Sequence, residues 1–155
     1  MSQETLLLEI PVTDQGDYLE FFAPCDPPTA NHQAKRIVKC GGFSKLADKP
    51  ELRSAREFWT GLLAQYRPLE PFDGPLSLTL GFSYPFVKST TKRDLLAGSR
   101  WKVTRPDCSN AAKTVEDILV SLRFMHDDNQ VARLVVEKRD STQPGLFVRI
   151  EKLRE

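Results

Sequence analysis

Residues 105–131 read RPDCSNAAKTVEDILVSLRFMHDDNQV, and the fold reading starts there. The spacing predicts a helix over Asn110–Leu122, because Ala111, Val115, Ile118, Leu119 and Leu122 recur at three- and four-residue intervals. Ser109 is a candidate N-cap, as is Asp107 if the helix starts earlier. Asn110, Lys113 and Asp117 share one edge of that helix, opposite the apolar stripe. Asp127 and Asp128 follow in a loop that feeds a strand beginning at Val131. A loop–helix–loop–strand unit can fold back and bring its two acidic ends together.

Working outward, Val131–Lys138 and Leu146–Leu153 read as strands joined by a turn containing Pro144-Gly145, the pattern of a hairpin. Upstream, Leu76–Phe82 alternates apolar and polar residues, the mark of a half-buried strand. Glu51–Tyr66 reads as a helix, with Leu52, Ala55, Phe58, Trp59, Leu62 and Leu63 on one face and Arg67-Pro68 closing it. Tyr18–Ala23 is a first strand, Lys35–Cys40 extends or reforms it, and Gly41-Gly42 breaks it. Phe86–Arg105 is basic and weakly periodic, a long mobile loop with at most a helical turn near Arg93–Ala97. Residues 1–17 form an acidic tail with at most a short strand at Leu6–Ile10, and 18–155 form one domain. Two helices mixed with strands give an α+β (mixed α/β) class, a mixed sheet packed by two main helices.

The 155 residues suffice for one domain with a real core. Apolar residues make up 40% and charged residues 28%, a globular balance with no run long enough to span a membrane. MSQETLLLEIP lacks a basic n-region, so no secretory signal is expected. Cys25, Cys40 and Cys108 are odd in number and form no C-x-x-C, which argues against a disulfide scaffold or a cysteine zinc site. A cytoplasmic setting follows from that usage. The net charge of +1 hides an asymmetry. Residues 1–31 hold six acids and no Lys or Arg, whereas 32–56 hold seven bases against two acids and 88–105 six bases against one. Residues 107–128 return to five acids against two bases. Basic segments beside an acidic cluster suit a polyanion held near a divalent cation; solvated charged loops would look the same.

Clustered carboxylates repel unless a cation neutralises them. Hard oxygen ligands suit Mg²⁺ or Mn²⁺, which can polarise a phosphodiester and generate a hydroxide nucleophile. The plainer alternative is that Asp107 caps the helix, Lys113 pairs with Asp117, and Asp127-Asp128 are turn residues. Both stand on the residues alone.

The segment resembles the RusA family of Holliday-junction resolvases, small endonucleases of bacteria and their phages. The family pattern is roughly D-x-D-N-x-x-K-x-x-x-D-x-L followed by D-D-x-x-V. Asp107, Asn110, Lys113, Asp117 and Leu119 stand at matching positions, as do Asp127, Asp128 and Val131. Pro27, Pro28, Thr29 and Asn31 are similar to the family's P-P-S-x-N opening. The resemblance implies a metal-dependent endodeoxyribonuclease of DNA recombination and repair. It would act as a homodimer, nicking a four-way DNA junction in symmetric pairs, with no membrane partner. It further implies Asp107 and Asp128 as principal Mg²⁺ (or Mn²⁺) ligands with Asp127 assisting. Lys113 would act on the scissile phosphate, and Asp117 would orient Lys113 or the metal's water shell. Lys88, Lys92, Arg93, Lys102 and Arg105 would contact DNA from the long loop, with Asn110 beside them and Asn31 and Arg36 from the N-terminal side.

One position departs from the pattern. The family's second metal-binding aspartate falls at Ser109, whose hydroxyl can ligate magnesium but brings no charge. Ser109 then ligates directly or through a water; or Glu116, Asp117 or Asp127 supplies the missing charge; or the chain binds branched DNA without cutting it. His126 precedes the acidic pair and is read as a loop residue, or as a base or ligand. Trp59 is read as core and Trp101 as an exposed ring able to stack on a base.

Overall fold

Leu76–Pro85 is the fifth strand in chain order and the middle of the sheet. Leu76, Leu78, Leu80, Phe82 and Tyr84 are all buried along it. In the computed structural model, which describes residues 13–14, 16–30 and 35–155, the elements run as follows. Strand β1 is Thr13–Asp14, β2 Tyr18–Pro24, β3 Lys35–Cys40 and β4 Phe43–Asp48. Helix α1 is Pro50–Leu63, β5 Leu76–Pro85, α2 Lys92–Ala97 and β6 Ser99–Trp101. Helix α3 is Cys108–Ser121, β7 Val131–Ser141 and β8 Gly145–Lys152. Short 3-10 turns cover Ala64–Tyr66 and Asp128–Gln130. The suggested strand at Leu6–Ile10 lies outside the described residues.

Six strands form one sheet in the order β1-β2-β8-β5-β7-β6, and β3 and β4 make a separate two-stranded ribbon. β5 pairs parallel with β7 and antiparallel with β8, so the sheet is mixed. The expected class holds. Alternation along the strands sends one set of side chains to a single face, where Leu19, Phe21 and Ala23 join Leu146, Val148 and Ile150. Leu52, Ala55, Trp59 and Leu63 of α1 and Ala112, Val115, Ile118 and Leu119 of α3 are buried with them. Each fully buried leucine of this set contributes about 1.5–3 kcal/mol. The expected stripe of α3 is rotated slightly: Ala112 and Thr114 are buried, and Ala111 and Leu122 are half-buried against the core.

Two expectations change. β7 and β8 are not a hairpin, because β5 lies between them. β5 is apolar along its whole inward face, whereas most of the first half of β7 is exposed. Placing β5 in the centre buries that face between two neighbours, which a β7–β8 hairpin would prevent. Nor is 86–105 a bare loop. Thr91 accepts from the Asp94 N–H at 3.2 Å to cap α2, and Gly98 at φ 81 ends it in the left-handed conformation that glycine tolerates. Strand β6 then pairs with β7.

Candidate active site

Helix α3 puts Lys113 and Asp117 four residues apart on one edge, and the turn after it returns Asp128 to the same place. Lys113 Nζ donates to Asp128 Oδ2 at 2.6 Å and lies 3.1 Å from Asp117 Oδ1. Arg56, arriving on α1, reaches Asp117 Oδ2 at 3.5 Å. Hydrogen bonds to Asp128 first, and Asp117 second, hold the Lys113 ammonium well above the ordinary lysine range. The same Lys113 bond, followed by one with Asp127, holds Asp128 below the ordinary aspartate range. Glu116 faces this group half-buried, and burial pushes its carboxyl up.

The return of Asp128 depends on a clamp. Gln130 Oε1 accepts from the backbone N–H groups of His126 at 2.7 Å and Asp127 at 3.0 Å. Its amide donates to the carbonyls of Phe72 at 2.9 Å and Gly74 at 3.0 Å. Asp127 accepts from the Asn129 N–H at 2.9 Å, completing a capping box with Gln130. His126 Nε2 meets Asp73 Oδ1 at 2.7 Å, so its ring is engaged with the neighbouring loop.

Asp107 sits at the other end of α3, exposed at the N-cap position, and accepts from Asn110 Nδ2 at 3.4 Å. It lines a concavity of about 240 Å³ together with Thr29, Arg105, Pro106 and Asn110. The Arg105–Pro106 peptide is cis. Lys138 of β7 fixes the approach to Asp107, donating to the carbonyls of Thr104 at 2.6 Å and Pro106 at 2.8 Å.

These positions separate the site residues expected from the sequence into groups. Lys113, Asp117 and Asp128 come together, and Asp107, Asn110 and Arg105 share the concavity. Asp127 is spent on its own turn, and Ser109 is exposed on the first turn of α3. Lys88, Lys92, Arg93 and Arg36 are exposed, and Asn31 lies outside the described residues. Lys102 is withdrawn from solvent: it donates to Asp140 Oδ1 at 3.2 Å and Thr104 Oγ1 at 2.9 Å, with 10% of its side chain exposed. One face of Trp101 is covered by the Arg139 guanidinium, 3.6 Å from the ring centre. Arg56, Gln130 and Lys138 were not foreseen, because helix-on-helix packing and strand order bring them in.

Among the described residues no three His, Cys, Asp or Glu side chains gather where an ion could sit. Asp128 accepts from Lys113, Asp127 caps its own turn, and Asp107 accepts a long bond from Asn110.

The family model for the endodeoxyribonuclease RusA matches residues 24–151. This chain belongs to the RusA family. The crossover junction endodeoxyribonuclease rusA of Lactococcus phage r1t is 25% identical over 135 residues, covering 86% of this chain and 98% of that protein. The RusA match spans both the concavity around Asp107 and the Lys113–Asp128 cluster. No helix among the described residues is long and apolar enough to cross a membrane.

Proposed function

We propose that the chain resolves four-way DNA junctions as a homodimeric, Mg²⁺- or Mn²⁺-dependent endonuclease acting in recombination and repair. The observation that carries this reading is Lys113 held between Asp117 and Asp128 in a RusA chain. An ammonium has three donors. Asp128 and Asp117 take two of them, which leaves the third for a phosphate oxygen and fixes its direction. The ammonium stays protonated throughout the neutral range. It is a fixed positive charge for the developing charge of phosphodiester cleavage. Arg105 and Asn110, lining the concavity beside Asp107, are placed to bind the backbone on one side of that phosphate. Lys88, Lys92, Arg93 and Arg36 add exposed backbone contacts, which position DNA without reading its sequence.

A divalent cation would supply the activated water. Its assignment to Asp107 and Asp128, with Asp127 assisting, rests on the family pattern, and the Ser109 hydroxyl stands where that pattern has a further aspartate. Residues 18–155 would make up the nuclease domain, with an acidic segment before it, in a cytoplasmic protein. Two identical sites related by a two-fold axis suit paired nicks across a two-fold junction. The second reading is a branched-DNA-binding protein that does not cut, favoured by Ser109, which brings no charge where the family pattern has an aspartate.

The test is cleavage of a labelled four-way junction with Mg²⁺ or Mn²⁺, beside Asp128→Asn and Lys113→Ala. Paired symmetric nicks that vanish in both variants support the resolvase. Junction binding without nicks, with cleavage gained in Ser109→Asp, supports the second reading. Equal affinity for junction and linear duplex overturns both.

A further inference from the structure

The ribbon of β3 and β4 stands apart from the main sheet and exposes apolar side chains that a solvated hairpin would not carry. Ile37 is 73% exposed, Phe43 80% and Leu46 72%. The tip is a tight turn through Gly41 at φ 51 and Gly42 at φ 90, a conformation glycine allows at both central positions. Phe43 is the first residue after that turn and pairs with Cys40, so it sits at the very end of the ribbon.

Charge accompanies the apolar residues. Lys45 pairs with Val38, and Arg36 with Ala47, which puts both bases on the Phe43 face; Lys39 shares the other face with Ile37 and Leu46. Arg36, Lys39 and Lys45 are exposed, and none of them pairs with an acid among the described residues. Exposed bases on both faces of the ribbon suit contact with a polyanion. The root of the ribbon adjoins the candidate active site. Thr29 lines both the concavity that holds Asp107 and Asn110 and a larger one, about 670 Å³, shared with Lys49, Ser54 and Phe58.

We propose that this ribbon is a DNA-probing finger whose Phe43 ring inserts at a base step while Arg36, Lys39 and Lys45 hold the flanking phosphates. The inference rests on the junction-resolving reading and deepens it by assigning the source of junction preference. A two-stranded ribbon fits a DNA groove, and apolar wedges inserted between base steps unstack them. Unstacking is least costly where stacking is already interrupted. The crossover of a four-way junction is such a place, and uniform duplex is not. Lys45 lies two residues from Phe43, roughly 7 Å along the strand, so the ring can enter the stack while the ammonium remains at the backbone.

The test uses the full chain with EDTA present, so that binding is read without cutting. A four-way junction carries 2-aminopurine at the crossover step, and a linear duplex carries it at the same sequence. Wild type is expected to raise the junction fluorescence and to bind the junction more tightly than the duplex. Phe43→Ala is expected to abolish the fluorescence rise and to reduce junction affinity by roughly 5- to 150-fold, the range for loss of one base–aromatic stack. Phe43→Trp is expected to keep both properties. A Phe43→Ala protein with unchanged fluorescence rise and junction preference would overturn the finger while leaving the resolvase reading intact. No junction preference in wild type would instead sink the resolvase reading itself. If Phe43→Ala converts a dimer to a monomer in sedimentation at equal concentration, the patch joins two copies of the chain and the proposal fails.

Discussion

Asp140→Ala is expected to destabilise the chain more than any substitution among the exposed charges. Asp140 is buried on β7, opposite Arg100 of β6 and Tyr84 of β5. Its two oxygens receive Arg100 Nε at 3.0 Å and Lys102 Nζ at 3.2 Å. Arg100 keeps a second partner in Asp94 at 2.9 Å. Among the described residues Lys102 meets no second carboxylate and is left with the Thr104 hydroxyl and the Tyr84 ring 5.1 Å away. Removing one member of a buried ion pair costs about 3–5 kcal/mol. The hydroxyl and ring retained by Lys102 reduce this to about 2–4 kcal/mol. For a chain of this size that lowers Tm by roughly 4–16 °C. Thermal unfolding followed by circular dichroism at pH 7 reads the loss directly. The double variant Lys102→Met/Asp140→Leu removes both charges and is expected within about 1 kcal/mol of wild type. A single-variant loss under about 1 kcal/mol, or a double variant no more stable than the single, would refute the account of a buried, mutually dependent pair.

Asp128→Asn should flatten the acid limb of stability. A carboxyl held low in the fold adds stability above its ordinary value of 3.8 and loses it as pH falls further, so wild type and variant should converge at low pH in urea titrations. Glu116→Gln should act with the opposite sign. Burial raises the Glu116 carboxyl, so its ionised form opposes folding at neutral pH. The variant should gain roughly 1–3 °C in Tm at pH 7 and nothing at pH 3. Lys138→Met should free the Thr104 and Pro106 carbonyls and let Asp107 drift. Junction cleavage is expected to fall tenfold or more, since misplacement by about 1 Å can cost 100-fold, while Lys138→Arg restores part of it. Loss of cleavage without any change in the backbone amide exchange of 104–107 would count against this positioning role.

Local pattern in the sequence determined a good deal of the molecule. The three- and four-residue spacing of Leu52, Ala55, Trp59 and Leu63, and of Val115, Ile118 and Leu119, specifies both main helices, because burial on one face requires that period. The same geometry places Lys113 and Asp117 together, since i and i+4 always meet on a helix. Alternation marks β5, and the spacing from Asp107 to Val131 carries the family.

What sequence periodicity does not encode is which distant segments become neighbours. Strand order is such a case: a period-2 pattern describes a strand's two faces but not its partners, and β5 enters between β7 and β8 because only the central position buries its whole apolar face. Arg56 reaches Asp117, Gln130 grips the Phe72–Gly74 backbone, and Lys138 holds the approach to Asp107, all through contacts between separate elements. The fate of Lys102 was decided the same way. As one base among several in 88–105 it reads as a DNA contact, and only the pairing of β6 with β7 sets it against the carboxylate of Asp140.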